Sequence, residues 1–197
     1  MNRKNAALLT AGIALALAGT AQAESNFVNG TGTLTTNARV DFQVTIPKFL
    51  SLRVGSANTT IDLVNFAVTA TDVGSGTDVA GTGGDLGTGT VTARVTGNNG
   101  DVTLSATTLG ALTNATGDTI PWTQISTASN AAGLPAPTLV NGAGTAVTVP
   151  GNLAGGRVVN QAAVWTYTYL NDDIVPAGTY GGVNAQNGRV TYTATML

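Results

Sequence analysis

The sequence predicts an all-β domain, an immunoglobulin-like Greek-key β-sandwich. Short stretches alternate apolar and polar residues, turn residues separate them at intervals of about 8 to 12 residues, and helical periodicity is nearly absent. Charged residues make up 9% of the chain, and threonine, asparagine, serine and glycine supply its polarity. Because disordered secreted chains are usually richer in charge or proline, this composition indicates an ordered β protein.

Residues 1–23 have the features of a secretory signal peptide. Arg3 and Lys4 precede an apolar run from Ala6 to Ala18, and Ala21-Gln22-Ala23 matches a cleavage site. The apolar run is shorter than the ~20 residues that a membrane-spanning helix needs. We therefore predict a mature chain that starts at Glu24, has no membrane span and is secreted through the periplasm to the bacterial cell surface.

The composition excludes several kinds of chemistry. Cysteine and histidine are absent, which excludes disulfides, histidine metal sites, Ser-His-Asp triads and cysteine nucleophiles. Without Arg3 and Lys4, six basic residues remain against ten acidic ones, a net charge of −4, and no basic cluster favours nucleic acid. Glu24 is the only glutamate. We expect a protein that is not an enzyme, needs no cofactor and does not bind nucleic acid.

Alternation predicts three strands in the first third of the mature chain. Residues 39–46, RVDFQVTI, place Val40, Phe42, Val44 and Ile46 on one face, and Pro47-Lys48 then turns the chain. Residues 49–55, FLSLRVG, repeat the alternation, and residues 61–68, IDLVNFAV, form a third run. Residues 69–90 have glycine at nearly every third place, which predicts a mobile surface loop.

Further strands follow the glycine-rich loop. Residues 90–96 and 101–106, separated by the turn Gly97–Gly100, predict a β-hairpin. Residues 106–156 offer two short strand candidates, TIPWTQIS and TAVTVP. AAVWTYTYL, which begins at residue 162, predicts a central strand with an aromatic face, and Arg189–Leu197 predict the last strand.

Both ends of the mature chain resemble a known family. The signal peptide, the stretch ARVDFQVTIPKFLSLRVG and the closing PAGTY and GRVTYTATML are similar to subunits of the fimbrial, chaperone-usher type, including spore-coat-U-like secreted domains. The matching parts cover about a third of the mature chain, and the chain lacks the disulfide found in many such subunits. The resemblance implies a sandwich that lacks one strand, which the N-terminal extension of a neighbouring copy supplies.

This resemblance implies a division of the chain and a set of site residues. The signal peptide would span residues 1–23, the N-terminal extension residues 24–37, and the sandwich domain residues 38–197. Donor positions would be Phe27, Val28, Gly30, Gly32 and Leu34, and acceptor-groove candidates Val40, Phe42, Val44, Val190, Tyr192 and Ala194. Partners would be further copies of the chain, joined head to tail, together with a periplasmic chaperone and an outer-membrane usher.

Three alternatives remain open at this stage. Residues 27–37 would otherwise extend the first strand of their own sandwich, or fray. The aromatic face of Trp165, Tyr167 and Tyr169 would stack on sugars in a monomeric carbohydrate-binding module, or lie in the core. The loop with Asp72, Asp78 and Asp85 would bind calcium, or be solvated.

Overall fold

The computed structural model describes residues 25 to 197, and the predicted signal peptide lies outside the described residues. The chain divides after Ile46 into two units. Within the first unit, the described residues 25–46 contain no helix or strand. The second unit, Pro47–Leu197, contains every strand of the described residues.

The second unit is built from β-strands, and all of the paired strands run antiparallel. The described residues hold two short 3₁₀ helices, Trp122–Gln124 and Ala154–Gly156, and no α-helix. The strands are β1 (Leu50–Val54), β2 (Val64–Asn65), β3 (Val79–Ala80), β4 (Thr82–Gly83), β5 (Thr90–Gly97), β6 (Val102–Thr108), β7 (Leu112–Thr113), β8 (Thr119–Ile120), β9 (Ile125–Ser129), β10 (Val147–Val149), β11 (Val159–Tyr169) and β12 (Val190–Thr195).

Two sheets enclose one hydrophobic core. The larger sheet has the order β1-β5-β11-β3, with β9 on the other edge of β11, and the smaller sheet has the order β10-β6-β12. Alternate residues of the central strands are buried between the sheets: Val91, Ala93 and Val95 of β5, and Val102, Leu104 and Ala106 of β6. The predicted all-β class is confirmed, whereas immunoglobulin-like connectivity stays a prediction.

The predicted aromatic strand forms β11, which lies between β5 and β9 in the larger sheet. Trp165 is fully buried, and its indole Nε1 donates a hydrogen bond to the main-chain oxygen of Leu134 at 3.2 Å. Tyr167 and Tyr169 are also buried. The interpretation of these aromatic residues as core is therefore confirmed.

The predicted β-hairpin at Gly97–Gly100 is wrong, although both of its strands form. β5 pairs with β1 and β11 in the larger sheet, whereas β6 pairs with β10 and β12 in the smaller one. The connection between them therefore crosses from one sheet to the other. Alternation identifies the apolar face of each strand, and the two faces meet across the core instead of side by side.

The N-terminal part of the strand prediction is also wrong. Residues 39–46 form no strand, and the first strand is β1, which begins at Leu50. The predicted glycine-rich loop contains the short strands β3 and β4, and β3 pairs with the end of β11. Of the third predicted run, residues 61–68, only β2 is in a strand.

Asn171 fixes part of the glycine-rich loop. Its side chain is buried, its Nδ2 donates to the main-chain oxygen of Asp72 at 2.6 Å, and its Oδ1 accepts from the Gly74 N–H at 3.0 Å. The main-chain oxygen of Asn171 accepts a further bond from the Gly76 N–H. The residue has a φ of 57°, in the left-handed region that asparagine tolerates better than most residues. Asn171 therefore bonds with three main-chain groups of the loop, at Asp72, Gly74 and Gly76.

We expect Asn171→Ala to lower the free energy of unfolding by about 3 kcal/mol, since it loses three side-chain hydrogen bonds, to Asp72, Gly74 and Ser75, and strains a left-handed backbone. Asn171→Gly removes the same bonds without the strain and should cost about 1 kcal/mol less. Urea unfolding of the purified protein measures both changes.

The control is Asn184→Ala, because Asn184 has a φ of 55° and an exposed side chain. It isolates the backbone cost, which we expect to be about 1 kcal/mol. An Asn171→Ala variant as stable as this control would show that the loop does not depend on the asparagine side chain.

Candidate functional site: an exposed apolar segment and two half-covered strands

The segment from Val40 to Ile46 exposes a regular row of large apolar side chains. Val40, Phe42, Val44 and Ile46 are 70%, 91%, 83% and 74% exposed. Residues 33–49 contain no turn, bend or strand. Burial of each such side chain is worth about 1.5–3 kcal/mol, so four of them exposed along one uninterrupted segment make it a candidate contact surface.

Residues 26–36 have a different shape. The chain bends at residues 31 and 32, and the Thr36 hydroxyl donates a hydrogen bond to the main-chain oxygen of Asn26 at 3.1 Å. A methyl group on Gly30 would lie 3.5 Å from Cδ2 of Leu34, so these two residues are close together. The predicted donor residues therefore lie in a segment that doubles back: Phe27, Val28, Gly30, Gly32 and Leu34.

Two strands of the second unit have incompletely covered core-facing side chains. These side chains pack against the buried core but stay half-buried: Leu50, Leu52 and Val54 on β1, and Val190, Tyr192 and Ala194 on β12. In the described residues, β1 pairs with β5 alone and β12 with β6 alone, so each has one free edge. The structure thus places the second half of the predicted acceptor set on a free-edged strand.

The free edges of β1 and β12 border the same side of the sandwich. The two strands belong to different sheets and lie against each other. At their junction, a methyl group on Gly97 would lie 2.9 Å from Sδ of Met196 and 3.4 Å from Cδ1 of Leu50. An unpaired strand edge can pair with a further strand. We call the uncovered side between the free edges of β1 and β12 the opening, and the half-buried side chains of both strands border it.

The connection from β5 to β6 holds the first and last residues of the second unit at this opening. Asn98 accepts a hydrogen bond from the Phe49 N–H at 2.9 Å, and its Nδ2 donates to the main-chain oxygen of Pro47 at 2.8 Å. Asn99 Nδ2 donates to the main-chain oxygen of Leu197. This role was not predicted from the sequence, because adjacent asparagines indicate only a turn and give no information on which groups their amides bind.

Tyr192 joins β12 to the larger sheet through the core. Its hydroxyl and that of Tyr167 are 2.8 Å apart, and its ring packs against Trp165 with a centroid separation of 5.3 Å. Burial raises the pKa of Tyr167 to about 12, with its hydrogen bond to Tyr192 opposing the rise, and raises the pKa of Tyr192 well above its ordinary value. Both hydroxyls therefore stay protonated at pH values where an exposed tyrosine ionises.

We expect the folded state to lose stability between about pH 10 and pH 12. Unfolded tyrosine releases its proton near pH 10, whereas folded Tyr167 holds it to about pH 12, so the unfolded state binds fewer protons in this window. Tyr167 alone contributes about 2–3 kcal/mol to the loss. Urea unfolding as a function of pH measures it.

The matched variants are Tyr167→Phe, Tyr192→Phe and the double variant. Each single change leaves one hydroxyl without its partner, whereas the double change removes both, so the double variant should be more stable than the sum of the single effects implies. If wild type and double variant lose stability equally above pH 10, the Tyr167–Tyr192 pair does not cause the alkaline loss.

Other candidate sites are weaker. The proposed sugar platform, Trp165, Tyr167 and Tyr169, lies in the core and presents no aromatic surface. In the glycine-rich loop, Asp85 accepts a bond from the Thr92 N–H and pairs with Arg53, while Asp72 accepts from the Thr69 hydroxyl. Within residues 25–197, no group of three or more acidic, histidine or cysteine side chains is placed to hold a metal ion.

Comparison of the chain with protein-family models, with curated proteins and with solved structures finds no match. Among the described residues, no helix is long and apolar enough to span a membrane.

Proposed function

We propose that this protein is a structural subunit of an extracellular fibre, in which each copy donates an N-terminal strand to the next copy. The observation that carries the proposal is the coexistence of an exposed apolar segment before Pro47 with half-covered, free-edged strands in the second unit. Such a fibre would serve adhesion, biofilm formation or surface coating, without a catalytic step.

The geometry of donation favours a fibre over a closed pair of copies. The donating segment and the receiving edge are different surfaces of the chain. When two copies join, one copy therefore keeps a free donating segment and the other keeps a free receiving edge. Head-to-tail contacts of this kind propagate unless the rotation between copies closes a ring. The resemblance of the chain ends to chaperone-usher subunits supports the same assembly, with secretion through the periplasm to the bacterial surface.

The composition is compatible with a durable assembly held without covalent links. The chain has no cysteine, so copies cannot be joined by disulfides. Main-chain pairing and burial of apolar side chains would then hold the copies together, and separation would require unfolding of the receiving sheet. A contact of this kind is slow to break even when its equilibrium free energy is ordinary.

We expect surface-sheared material to give a ladder of multiples on an unheated denaturing gel probed for this chain. Boiling should collapse the ladder to a single band, because heating allows the receiving sheet to cross its unfolding barrier. Reducing agent alone should leave the ladder unchanged, since the chain has no cysteine. A single band at the mass of one copy, with and without heating, would contradict the proposal.

A further inference from the structure

We infer that the donated strand is Val40–Ile46 rather than residues 27–36, and that it pairs with the free edge of β12 in a second copy. This inference rests on the proposed assembly and names its two contacting segments. It also moves Val40, Phe42 and Val44 from the receiving side of the contact, where the sequence resemblance places them, to the donating side.

The first reason is the shape of the two candidate segments. Donation requires an extended chain with alternating apolar side chains, because one face must enter the core while the main chain pairs with a neighbour. Val40–Ile46 has this alternation and contains no turn or bend. Residues 26–36 bend back on themselves through the contact of Thr36 with Asn26. Donation by this second segment would require the bend to open.

The second reason is the match between the segment and the receiving edge. Val40–Ile46 has seven residues and β12 has six, so each spans about 20 Å as a strand. The four apolar side chains of the segment would supply the cover that Val190, Tyr192 and Ala194 lack. On the opposite face, the polar residues Asp41, Gln43 and Thr45 would stand beside the exposed threonines of β12, Thr191, Thr193 and Thr195.

The third reason concerns why the partner is a second copy. For Val40–Ile46 to pair along the free edges of its own sandwich, the chain would have to reverse at residues 47–49. Asn98 bonds the Pro47 carbonyl and the Phe49 N–H, which fixes the main chain of residues 47–49 to the connection between β5 and β6. A tight reversal would break both bonds. The two bonds therefore favour pairing of the segment with another copy.

Cysteine cross-linking tests the contact directly, because the natural chain has no cysteine. One tagged mature chain carries Gln43→Cys, and a second, differently tagged chain carries Thr191→Cys, Thr193→Cys or Thr195→Cys. These side chains would lie on the outer face, so the core-facing contacts remain unchanged. Residues opposite each other on neighbouring strands are close enough for a disulfide. We expect mixed disulfides with the β12 positions nearest to Gln43 in the register.

Two matched controls define the segments. Thr33→Cys replaces Gln43→Cys on the donating side, and Thr148→Cys on the exposed face of β10 replaces the β12 position on the receiving side. Neither should cross-link above background. Cross-linking through Thr33→Cys in place of Gln43→Cys would overturn the inference and leave the proposed fibre intact. A double variant, Gln43→Cys with Thr193→Cys, that closes within one monomeric chain would overturn both.

Charge substitution gives an independent measure. Phe42→Asp with Val44→Asp should lower the assembled fraction about tenfold or more, since a buried unpaired carboxylate is strongly unfavourable. Val28→Asp with Leu34→Asp, the matched change in residues 27–36, should leave assembly within about twofold. Light scattering measures assembly, and circular dichroism confirms the fold of each variant. Equal loss in both, or loss in the second pair alone, would overturn the assignment of the segment. A wild-type chain that stays monomeric would overturn the proposed function itself.

Discussion

The packing of Tyr192 against Trp165 and Tyr167 is the constraint on which the sandwich depends. β12 is an edge strand with one hydrogen-bonded neighbour, β6, and belongs to the smaller sheet. Tyr192 links this strand to the larger sheet, by ring contact with Trp165 and by its hydroxyl with Tyr167. Trp165 is the largest fully buried side chain of the described residues. The two sheets are thus joined by contacts among Trp165, Tyr167 and Tyr192.

Burial decreases from the centre of each sheet to one side. The core-facing residues of β5, β6 and β11 are buried, whereas those of β1 and β12 are half-buried. A sandwich with no disulfide depends on packing and main-chain pairing for its stability, so an open side is a cost unless another strand covers it. The apolar side chains of the exposed row from Val40 to Ile46 are likewise uncovered.

Sequence patterns predicted the strands better than their partners. Alternation located β1, β5, β6, β11 and β12 within a few residues, because the alternation of buried and exposed residues is a local property of each strand's own sequence. It failed at the connection Gly97–Gly100, where adjacent strands face each other across the core. It also predicted a strand at residues 39–46, which form none, because an alternating apolar face does not show which other segment covers it.

The sequence by itself determined the all-β class, the identity of the buried faces and the absence of cysteine and histidine chemistry. Only the tertiary structure decided which sheet each strand joins, which strands keep a free edge, and that Asn98 and Asn99 hold the first and last residues of the second unit. The physical reason is that strand periodicity is local, whereas pairing is a contact between residues far apart in the chain. Asn98 and Pro47 are neighbours only after β1 and β5 have paired.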